Sequence, residues 1–412
     1  MRSAKTSLLI LLFALFNLPM FFLIAFTSNL WRMIKGAKEY NVFWGTEPII
    51  NSNHWARATQ QIFTRSEFIS RYDSRILNGR ASSILFSSEQ ISNPVLRLVR
   101  SFSENLVFFK TFSKVLFSAN LVCISCDGFI FQHYKIVGFN YKMEWLILRI
   151  ARIKVCVLPY GADANIYSKI HDKNWLYGLI TDYPAASKSQ SAIEKRVSFY
   201  VKNSDIFLPG AMLFDGLGRS DWITPSTLCI EVPEQNYKRK TPGNTFIVTH
   251  APNHRTVKGT RYVILAIEEL VARGINIELR LLEYKSNEEV LRIISEESDL
   301  HIDQLFFDGY GLNALESMSL GVPTVGNFSG PLRDFFDRWS FTQDCPMVIA
   351  NEISIVDVLS RLIYDRDALE VISKKSQNYV NKYHSSKAFA ENFMEILKKT
   401  DPVFVLFLNS NN

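Results

Sequence analysis

Cysteine is scarce in this chain, which has only five among its 412 residues, at Cys123, Cys126, Cys156, Cys229 and Cys345. An odd and scattered set excludes a disulfide framework and predicts a reducing compartment. Cys123 and Cys126 have the C-x-x-C spacing, but they lie in an apolar stretch typical of a strand, and no second pair follows at the spacing of a zinc site. We therefore predict buried small side chains at both positions and no metal site.

Blocks of like charge and low-complexity stretches are also missing. Lys and Arg number 46 against 40 Asp and Glu, which gives a formal net charge of +6. Without a Lys/Arg block the chain is not expected to bind nucleic acid, whereas the modest excess favours an anionic substrate or an anionic membrane surface. A hydrophobic content of 47% with 21% charged residues is typical of a globular protein, and the length suffices for two domains.

One long hydrophobic run is present near the amino terminus. Residues 8–26 are almost wholly apolar, close to the minimum for a membrane span, with Asn17 and Pro19 as interruptions. Trp31 and three cations follow, the last of them Lys38, as at a membrane interface. We predict a membrane span or an in-plane anchor here, with a buried core helix as the alternative. No cleavage site of a removed signal peptide stands out.

Apolar strand-like runs alternate with helical segments along the rest of the chain. Residues 40–45 read as an opening strand, residues 54–68 as its helix, and residues 386–399 as a final helix. Further strands are expected at residues 119–125, 128–132, 154–158 and 203–210. This alternation predicts parallel sheets of the doubly wound kind.

Two cations follow a buried strand in the second half. Residues 245–250 predict the strand, and residues 262–272 an amphipathic helix that Gly274 ends. Arg255 and Lys258 lie in the loop between them. A loop at the carboxyl end of a strand is where an open α/β sheet binds phosphates, and a guanidinium with an ammonium would hold a diphosphate from two sides.

A glycine-bearing turn about fifty residues later carries two acids. Gly311 is expected to open a helix, with Asp308 before it and Glu316 more than a turn inside it. The start of a helix attracts phosphate, and a carboxylate further in accepts hydrogen bonds from ribose hydroxyls. Together with the cations this predicts a nucleotide diphosphate site, the alternative being two solvated acids. His250 and His254 are predicted to be structural hydrogen-bonding groups, because neither has a metal-ligand partner at a recognisable spacing.

These residues resemble the carboxyl-terminal half of retaining glycosyltransferases with the GT-B fold, in the bacterial group related to glycogen synthase and mannosyltransferases. The resemblance is carried by residues 250–260, by Asp303-Gln304, and by residues 308–323. It is specific from His250 to Val325, looser over residues 41–231, and absent over the first forty. The resemblance implies an α/β fold of two Rossmann-like doubly wound domains that face a cleft.

The resemblance also implies roles for single residues. Arg255 and Lys258 would hold the donor diphosphate, Glu316 would bind the ribose as the second acid of an E-x7-E motif, and Asp308 would lie near the donor sugar. The family usually has Glu where this chain has Asp308, which shortens the side chain by one methylene. The turn would meet sugar and phosphate through the backbone amides of Gly309, Tyr310, Gly311 and Leu312.

Asp163 completes the predicted catalytic set with Asp308, Arg255 and Lys258. The family often has a His-Gly-x-Asp element at this place, and this chain has Tyr160 instead of the histidine but keeps Gly161 and Asp163. The resemblance makes Asp163 a candidate residue of the cleft. The alternative is a turn closed by an Asx-type hydrogen bond at Asp163.

The predicted organisation is a hydrophobic segment over residues 1–38, an acceptor domain over 39–235 and a nucleotide-sugar donor domain over 243–400, with a linker over 231–243. The resemblance implies a metal-independent glycosyltransferase that uses a nucleotide-sugar donor, a glycan or lipid-linked acceptor, and no cofactor. The alternatives are a nucleotide-sugar epimerase of the same fold and an inactive membrane-anchored scaffold. The expected location is the cytoplasmic face of the inner membrane, or the cytoplasm if residues 8–26 are not a span.

Overall fold

The computed structural model describes residues 4–35, 38–72, 81, 83–85, 93–131, 140–210, 217–222, 227–231, 243–328, 333–334 and 344–411. The chain divides into two compact units, each discontinuous in sequence. The first unit comprises Met1–Asp163, Lys195–Pro209 and Ala390–Asn412, and the second comprises Ala164–Glu194 and Gly210–Phe389. Most of the predicted linker, residues 232–242, lies outside the described residues, and the predicted domain ranges stay a prediction.

The first unit contains a six-stranded sheet in which every described pairing is parallel. Its strands are β1 Asn41–Thr46, β2 Arg65–Ser70, β3 Ser83–Ile84, β4 Leu121–Ile124, β5 Lys154–Val157 and β6 Ile206–Phe207, in the order β3-β2-β1-β4-β5-β6. The helices of this unit are α1 Ala4–Lys35, α2 Ile50–Ala58, α3 Pro94–Ser118 and α4 Tyr141–Ile150. All six residues of β1 are buried, as expected for a central strand with both faces covered.

Two predictions for this unit are wrong. The predicted helix over residues 54–68 is in fact the end of α2 followed by strand β2. Helix α2 ends at Thr59, whose amide and hydroxyl both donate hydrogen bonds to the Trp55 carbonyl. Phe68 then pairs in register with Trp44 of β1, and this pairing favours strand. Residues 128–131 form no strand; only Gly128 makes an isolated bridge, to Ser125.

Helix α1 packs one of its faces into the first unit. The ring of Phe21 is fully buried and contacts the rings of Phe108 and Phe112 on α3 and that of Phe131. This face of α1 therefore belongs to the hydrophobic core of the unit. Among the residues that the structure describes, no helix combines the length and the hydropathy that crossing a membrane requires.

The carboxyl-terminal helices complete the first unit, apart from the first four residues of α14, which belong to the second. Helix α14 is Ser386–Thr400 and α15 is Pro402–Asn411, and between them lies the buried carboxylate of Asp401. Asp401 accepts a hydrogen bond from the Tyr40 hydroxyl and lies 3.2 Å from the Lys154 ammonium. These contacts fix the end of the chain beside the amino ends of β1 and β5.

The second unit contains a five-stranded sheet, again parallel in every described pairing. Its strands are β7 Phe246–His250, β8 Ile277–Leu281, β9 Leu300–Ile302, β10 Thr324–Gly326 and β11 Val348–Ile349, in the order β11-β10-β9-β7-β8. Its helices are α5 Lys173–Asp182, α6 Pro184–Lys188, α8 Arg255–Lys258, α9 Thr260–Ala272, α10 Asn287–Glu297, α11 Leu312–Ser319, α12 Ile355–Leu362 and α13 Arg366–Tyr383. Helix α7 Gln190–Asn203 contributes to both units.

The order of this sheet locates a ligand-binding position. The chain runs from β7 to β8 on one side and then crosses to β9 on the other side of β7. The loops that leave β7 and β9 therefore diverge at their carboxyl ends, which is where open α/β sheets bind ligands. The predicted fold class, α/β with two Rossmann-like parallel sheets as in GT-B, is confirmed by the two sheets.

Candidate functional site

Lys258 is fixed at the edge between β7 and β9. Its ammonium donates to Asp303 Oδ1 at 2.7 Å and to Gln304 Oε1 at 2.8 Å, and its side chain is largely buried. Its backbone carbonyl accepts from the Leu305 amide. Asp182 of α5 accepts from the amide of Val257 and so holds the short helix α8 in place. Lys258 is thus preorganised, with a position set from both its side chain and its backbone.

Asp303 is a buried carboxylate with a cation beside it. Burial alone would raise its pKa, but the charge and hydrogen bond of Lys258 and a hydrogen bond from the Gly311 amide outweigh it, so its pKa lies below the ordinary value. Asp303 is therefore ionised at neutral pH. The sequence contained a signal for this site, because Asp303 and Gln304 directly follow a buried strand, where α/β sheets place ligand-binding residues. No role had been predicted for either.

Gly311 opens α11 as predicted. It is the N-cap residue, and no side chain caps the helix there. Its own amide donates to Asp303 Oδ2 at 3.0 Å, so that amide is occupied, whereas the amides of the first turn that follow have no acceptor within the helix. A Cβ at Gly311 would lie 3.4 Å from the Lys258 ammonium. The absence of a side chain keeps the space beside that ammonium open.

The turn before α11 is held by one side chain and one backbone carbonyl, both of residues that follow strands. The Gln304 amide donates to the Gly309 carbonyl at 3.0 Å, and the Gly309 amide donates to the Asn327 carbonyl at 2.7 Å. Gln304 therefore links Lys258 to the turn. Asp308 is half-buried within this turn. Its predicted place near a donor sugar stays a prediction.

The side chain of Tyr310 belongs to the core. It is fully buried, and its hydroxyl bonds with the Tyr379 hydroxyl at 2.8 Å and with His384 Nε2 at 3.0 Å. The side chain of Tyr310 is therefore committed to the core, and the predicted contact of its backbone amide with a ligand stays a prediction. The half-buried Leu312 follows as the first residue of α11.

Glu316 lies in the second turn of α11 and is mostly buried. Its Oε1 accepts a hydrogen bond from the Asn287 amide at 2.9 Å. Asn287 begins α10, which follows β8. Glu316 is therefore held at the same edge of the sheet as Lys258 and Gly311, by a residue that the sequence had not singled out.

Arg255 has a different partner from Lys258. Its guanidinium is mostly exposed and forms a bidentate ion pair with Glu283, which follows β8. The hydrogen bond and charge of Glu283 raise the pKa of Arg255. To contact a diphosphate the guanidinium would have to exchange this exposed partner for the ligand. Its predicted role stays a prediction.

Two histidines lie at this edge of the sheet, and the structure gives side-chain hydrogen bonds for His250. His250 is fully buried between the Ile302 carbonyl and the Thr260 hydroxyl, and burial lowers its pKa to about 4. His254 is half-buried, and its ring lies 4.4 Å from that of Tyr183. A neutral buried imidazole with both nitrogens engaged is a poor proton acceptor.

Asp163 lies at the carboxyl edge of the first sheet. It is buried and accepts hydrogen bonds from the amides of Cys126, Tyr160 and Gly161 at 2.8 to 3.0 Å. Burial and the nearby charge of Asp127 raise its pKa to about 7 against these bonds. Asp163 thus closes a local turn through amides two and three residues before it, not through the forward hydrogen bond of an Asx turn, and a catalytic role for Asp163 stays a prediction.

A polar network surrounds Asp163, and sequence reasoning had missed most of it. Asp127 accepts from the Tyr160 hydroxyl at 2.9 Å and from the Arg196 guanidinium. Glu47, which follows β1, lies 3.5 Å from the guanidinium of Arg71, and burial raises its pKa to about 7. These side chains follow neighbouring strands, which is the signal that could have found them.

No group of three or more His, Cys, Asp or Glu side chains within the described ranges is arranged to hold a metal ion. All five cysteines are buried and unbridged, and Cys123 and Cys156 lie opposite each other on paired strands.

No protein-family model and no curated protein matches the chain. Among solved structures, the glycosyltransferase SnogD from Streptomyces nogalater is 13% identical over 87% of this chain and 99% of its own, with a TM-score of 0.42. The lipopolysaccharide outer core galactosyltransferase WaaB is 12% identical over 87% and 99%, with a TM-score of 0.46. A glycosyltransferase from Rickettsia africae is 12% identical over 88% and 98%, with a TM-score of 0.48. Likenesses of this size assign neither a substrate nor a role to any residue here.

Proposed function

We propose that the chain is a glycosyltransferase that moves a sugar from a nucleotide diphosphate sugar to a glycan or glycolipid of the cell envelope, with retention of the anomeric configuration. The observation that carries this proposal is the position of Lys258 beside the start of α11, at the edge between β7 and β9. It is supported by the sequence resemblance over residues 250–325.

The free donor of Lys258 supports the diphosphate as ligand. A lysine ammonium has three N–H donors, and Asp303 and Gln304 accept two of them. Among the described residues no acceptor for the third is found, and the ammonium lies beside Gly311, where the first-turn amides of α11 also begin. An ammonium and a helix start together form an anion site. Glu316, one helical turn further on, would accept hydrogen bonds from the ribose.

The chemistry that such a site would assist is the departure of the nucleoside diphosphate. As the bond from the anomeric carbon to the phosphate oxygen breaks, that oxygen takes the electron pair and gains negative charge. Lys258, with the α11 amides and Arg255, would stabilise this charge in place of a metal ion. The acceptor hydroxyl would attack the anomeric carbon from the same face, and the departing phosphate would take its proton.

The first test is binding. We expect UDP, GDP or ADP, or one of their sugars, to raise the Tm of the full chain. The Lys258→Ala variant should bind the same nucleotide with roughly a hundredfold lower affinity in calorimetry, since the charge-assisted contact is lost. Lys374→Ala serves as the matched control, because Lys374 is an exposed lysine of α13 that pairs with Glu370. Equal affinities of the Lys258→Ala variant and the wild type for the nucleotide would overturn the proposal.

Turnover then separates the proposed function from its alternatives. Transfer or slow hydrolysis of the donor, with a product of retained configuration by NMR, supports the proposal. Interconversion of donor epimers would instead indicate an epimerase, and binding without any turnover a scaffold. Activity that survives EDTA would support metal independence, and activity that Mg2+ restores would refute it.

A further inference from the structure

The chain between β8 and α10 starts at the same edge of the second sheet as the loop that leads to Lys258. Strand β8 pairs in parallel with β7 up to His250 and Leu281, and the next amide, that of Leu282, donates to the His250 carbonyl at 2.8 Å. Neighbouring strands of a sheet lie roughly 5 Å apart. Residues 282–286, here named the β8–α10 loop, therefore begin one strand away from the end of β7.

Two residues of the predicted donor site contact this loop at its two ends. At its beginning, Glu283 forms the bidentate ion pair with Arg255. Directly after its end, Asn287 begins α10 and donates to Glu316 Oε1 at 2.9 Å. The β8–α10 loop therefore joins the guanidinium that is expected at a diphosphate to the carboxylate that is expected at a ribose.

Tyr284 lies at the centre of the loop with its ring in solvent. It is 95% exposed, more than any other large hydrophobic side chain that the structure describes. Its side chain forms no hydrogen bond and no ring contact with the described part of the chain. A single exposed apolar side chain is common by itself. Here, however, packing within the protein gives no reason for an aromatic ring beside the predicted site.

The backbone of Tyr284 is unusual as well. Its φ of 58° lies in the left-handed region, which only one other non-glycine residue of the described ranges, Arg152, adopts. Crowding of the Cβ atom disfavours this conformation for any L-residue, whereas glycine adopts it freely. A bulky residue that keeps such a conformation is a reason to look for a function. Formation of the turn alone would favour glycine at this position.

The hydroxyl of Tyr284 lies on the side of Arg255. The pKa of Arg255 is raised mainly by the hydrogen bond and charge of Glu283, and the Tyr284 phenol adds to this effect. An electrostatic contribution of this kind requires that the phenol lie near the guanidinium. The ring is therefore held next to the predicted donor site although it is surrounded by solvent.

We propose that Tyr284 stacks on the nucleobase of the donor. In a nucleoside diphosphate the ribose lies between the phosphates and the base. The groups of the second unit have the matching order, from Lys258 beside the start of α11, through Glu316 in its second turn, to the β8–α10 loop that Asn287 connects to Glu316. The inference rests on the proposed function, because it assigns the base subsite of the same donor site.

Stacking at Tyr284 also defines the class of donor. Every nucleobase has an aromatic face, and stacking removes that face and one face of the tyrosine ring from water. A diphosphate sugar that is carried by a lipid has no such face. Tyr284 therefore favours nucleotide-linked donors over lipid-linked donors, without choosing among the bases.

The test compares a ligand that has a base with one that has none. Calorimetry of the full chain uses whichever of UDP, ADP and GDP raises its Tm, and inorganic pyrophosphate measured by displacement of that nucleotide. Tyr284→Ala should bind the nucleotide with roughly tenfold lower affinity and pyrophosphate with unchanged affinity, since only the base contacts the ring. Tyr284→Phe keeps the ring and should bind both ligands like the wild type. Tyr364→Ala is the matched control, because Tyr364 is also a highly exposed tyrosine of the second unit.

Two further measurements separate stacking from a structural role. Glycine adopts the left-handed conformation freely, so Tyr284→Gly should be at least as stable as the wild type in thermal unfolding and yet bind the nucleotide as weakly as Tyr284→Ala. In proton NMR the resonances of the base should move upfield on binding to the wild type, because of the ring current of the tyrosine. This shift should be absent with Tyr284→Ala.

The outcomes distinguish this inference from the proposed function. If Tyr284→Ala binds the nucleotide like the wild type while Lys258→Ala binds it weakly, the inference is overturned and the proposed function is left intact. An equal loss of affinity for pyrophosphate also overturns the inference, because the ring would then act through Arg255. A wild-type chain that binds none of the three nucleotides overturns both.

Discussion

Asp303 in the second unit and Asp163 in the first are both buried carboxylates at the carboxyl edge of a parallel sheet, yet they are held differently. Lys258 lies beside Asp303 and keeps its pKa below the ordinary value, whereas Asp163 is held by three backbone amides and has its pKa raised to about 7. At Asp163 the three amides do not offset the loss of water and the repulsion from Asp127, whereas at Asp303 the cation outweighs the loss of water. The nature of the partner, more than the depth of burial, decides which edge carries a permanent charge.

The comparison extends to the other titratable groups of the two units. In the first unit, burial raises the pKa of Glu47 and of Glu144 to about 7, against three backbone amides in the case of Glu144. In the second unit, burial lowers the pKa of His250 and His384 to about 4 and that of His301 to about 3. The first unit therefore buries acids that prefer to hold a proton, and the second buries histidines that prefer to lose one.

The largest expected effect comes from removing the cation. Lys258→Ala should lower the free energy of unfolding by about 3 kcal/mol, because it leaves Asp303 as an uncompensated buried charge. The loss should shrink as the pH falls and Asp303 takes up a proton. Urea unfolding of the full chain measures both effects. If Lys258→Ala proved as stable as the control variant Lys374→Ala, the Lys258–Asp303 ion pair would not stabilise the second unit.

Acidification should affect the two units in opposite directions. The buried histidines bind protons more weakly in the folded state, so the second unit loses stability as the pH falls below about 6.5, by about 2 kcal/mol per histidine near pH 5. The buried acids bind protons more tightly in the folded state, so the first unit gains stability as the pH falls from about 7 towards 4.5. Hydrogen exchange read peptide by peptide, corrected for the intrinsic rate, measures both units in one sample. A parallel response of both units would contradict the comparison.

Glu144→Gln tests the acids of the first unit. Glu144 accepts from the amides of Phe129, Ile130 and Phe131, and an amide side chain keeps only one of its two acceptor oxygens. We expect a loss of about 1–2 kcal/mol at low pH, where Glu144 is protonated in the wild type. The difference from the wild type should narrow as the pH rises from about 4.5 to about 7, because over this range the wild type loses the stability that the proton on Glu144 contributes, whereas glutamine does not titrate. Thermal unfolding at several pH values gives the measurement, and a difference independent of pH would count against a raised pKa.

The smallest effect on stability is expected at Arg255. Its ion pair with Glu283 is exposed, so Arg255→Ala should leave the Tm unchanged within error. If the proposed donor site is correct, the same variant binds the nucleotide with several-fold lower affinity. Arg292→Ala, which breaks an exposed pair with Glu296 on α10, is the control. Loss of stability without loss of affinity would assign Arg255 to the fold and not to the ligand.

Much of the second unit could be predicted because its signals are local. The buried strand β7, the helix that Gly274 follows and the opening of α11 at Gly311 each rest on a few neighbouring residues, through apolar runs and glycine turns. The first unit was predicted less well. Residues 54–68 carry a weak helical pattern, and pairing with β1 decided that their second part is a strand.

The sequence by itself determined the alternating pattern of strands and helices, the turn at Gly311 and the lysine that follows β7. These depend on side-chain periodicity and backbone preference over short distances. Only the tertiary structure decided the partners of distant groups: Lys258 meets a carboxylate 45 residues away, Arg255 meets Glu283, and α3 packs against α1 through buried phenylalanine rings. Charge pairing and the exposure of a face depend on which elements the fold brings together, and a chain read in order does not contain that information.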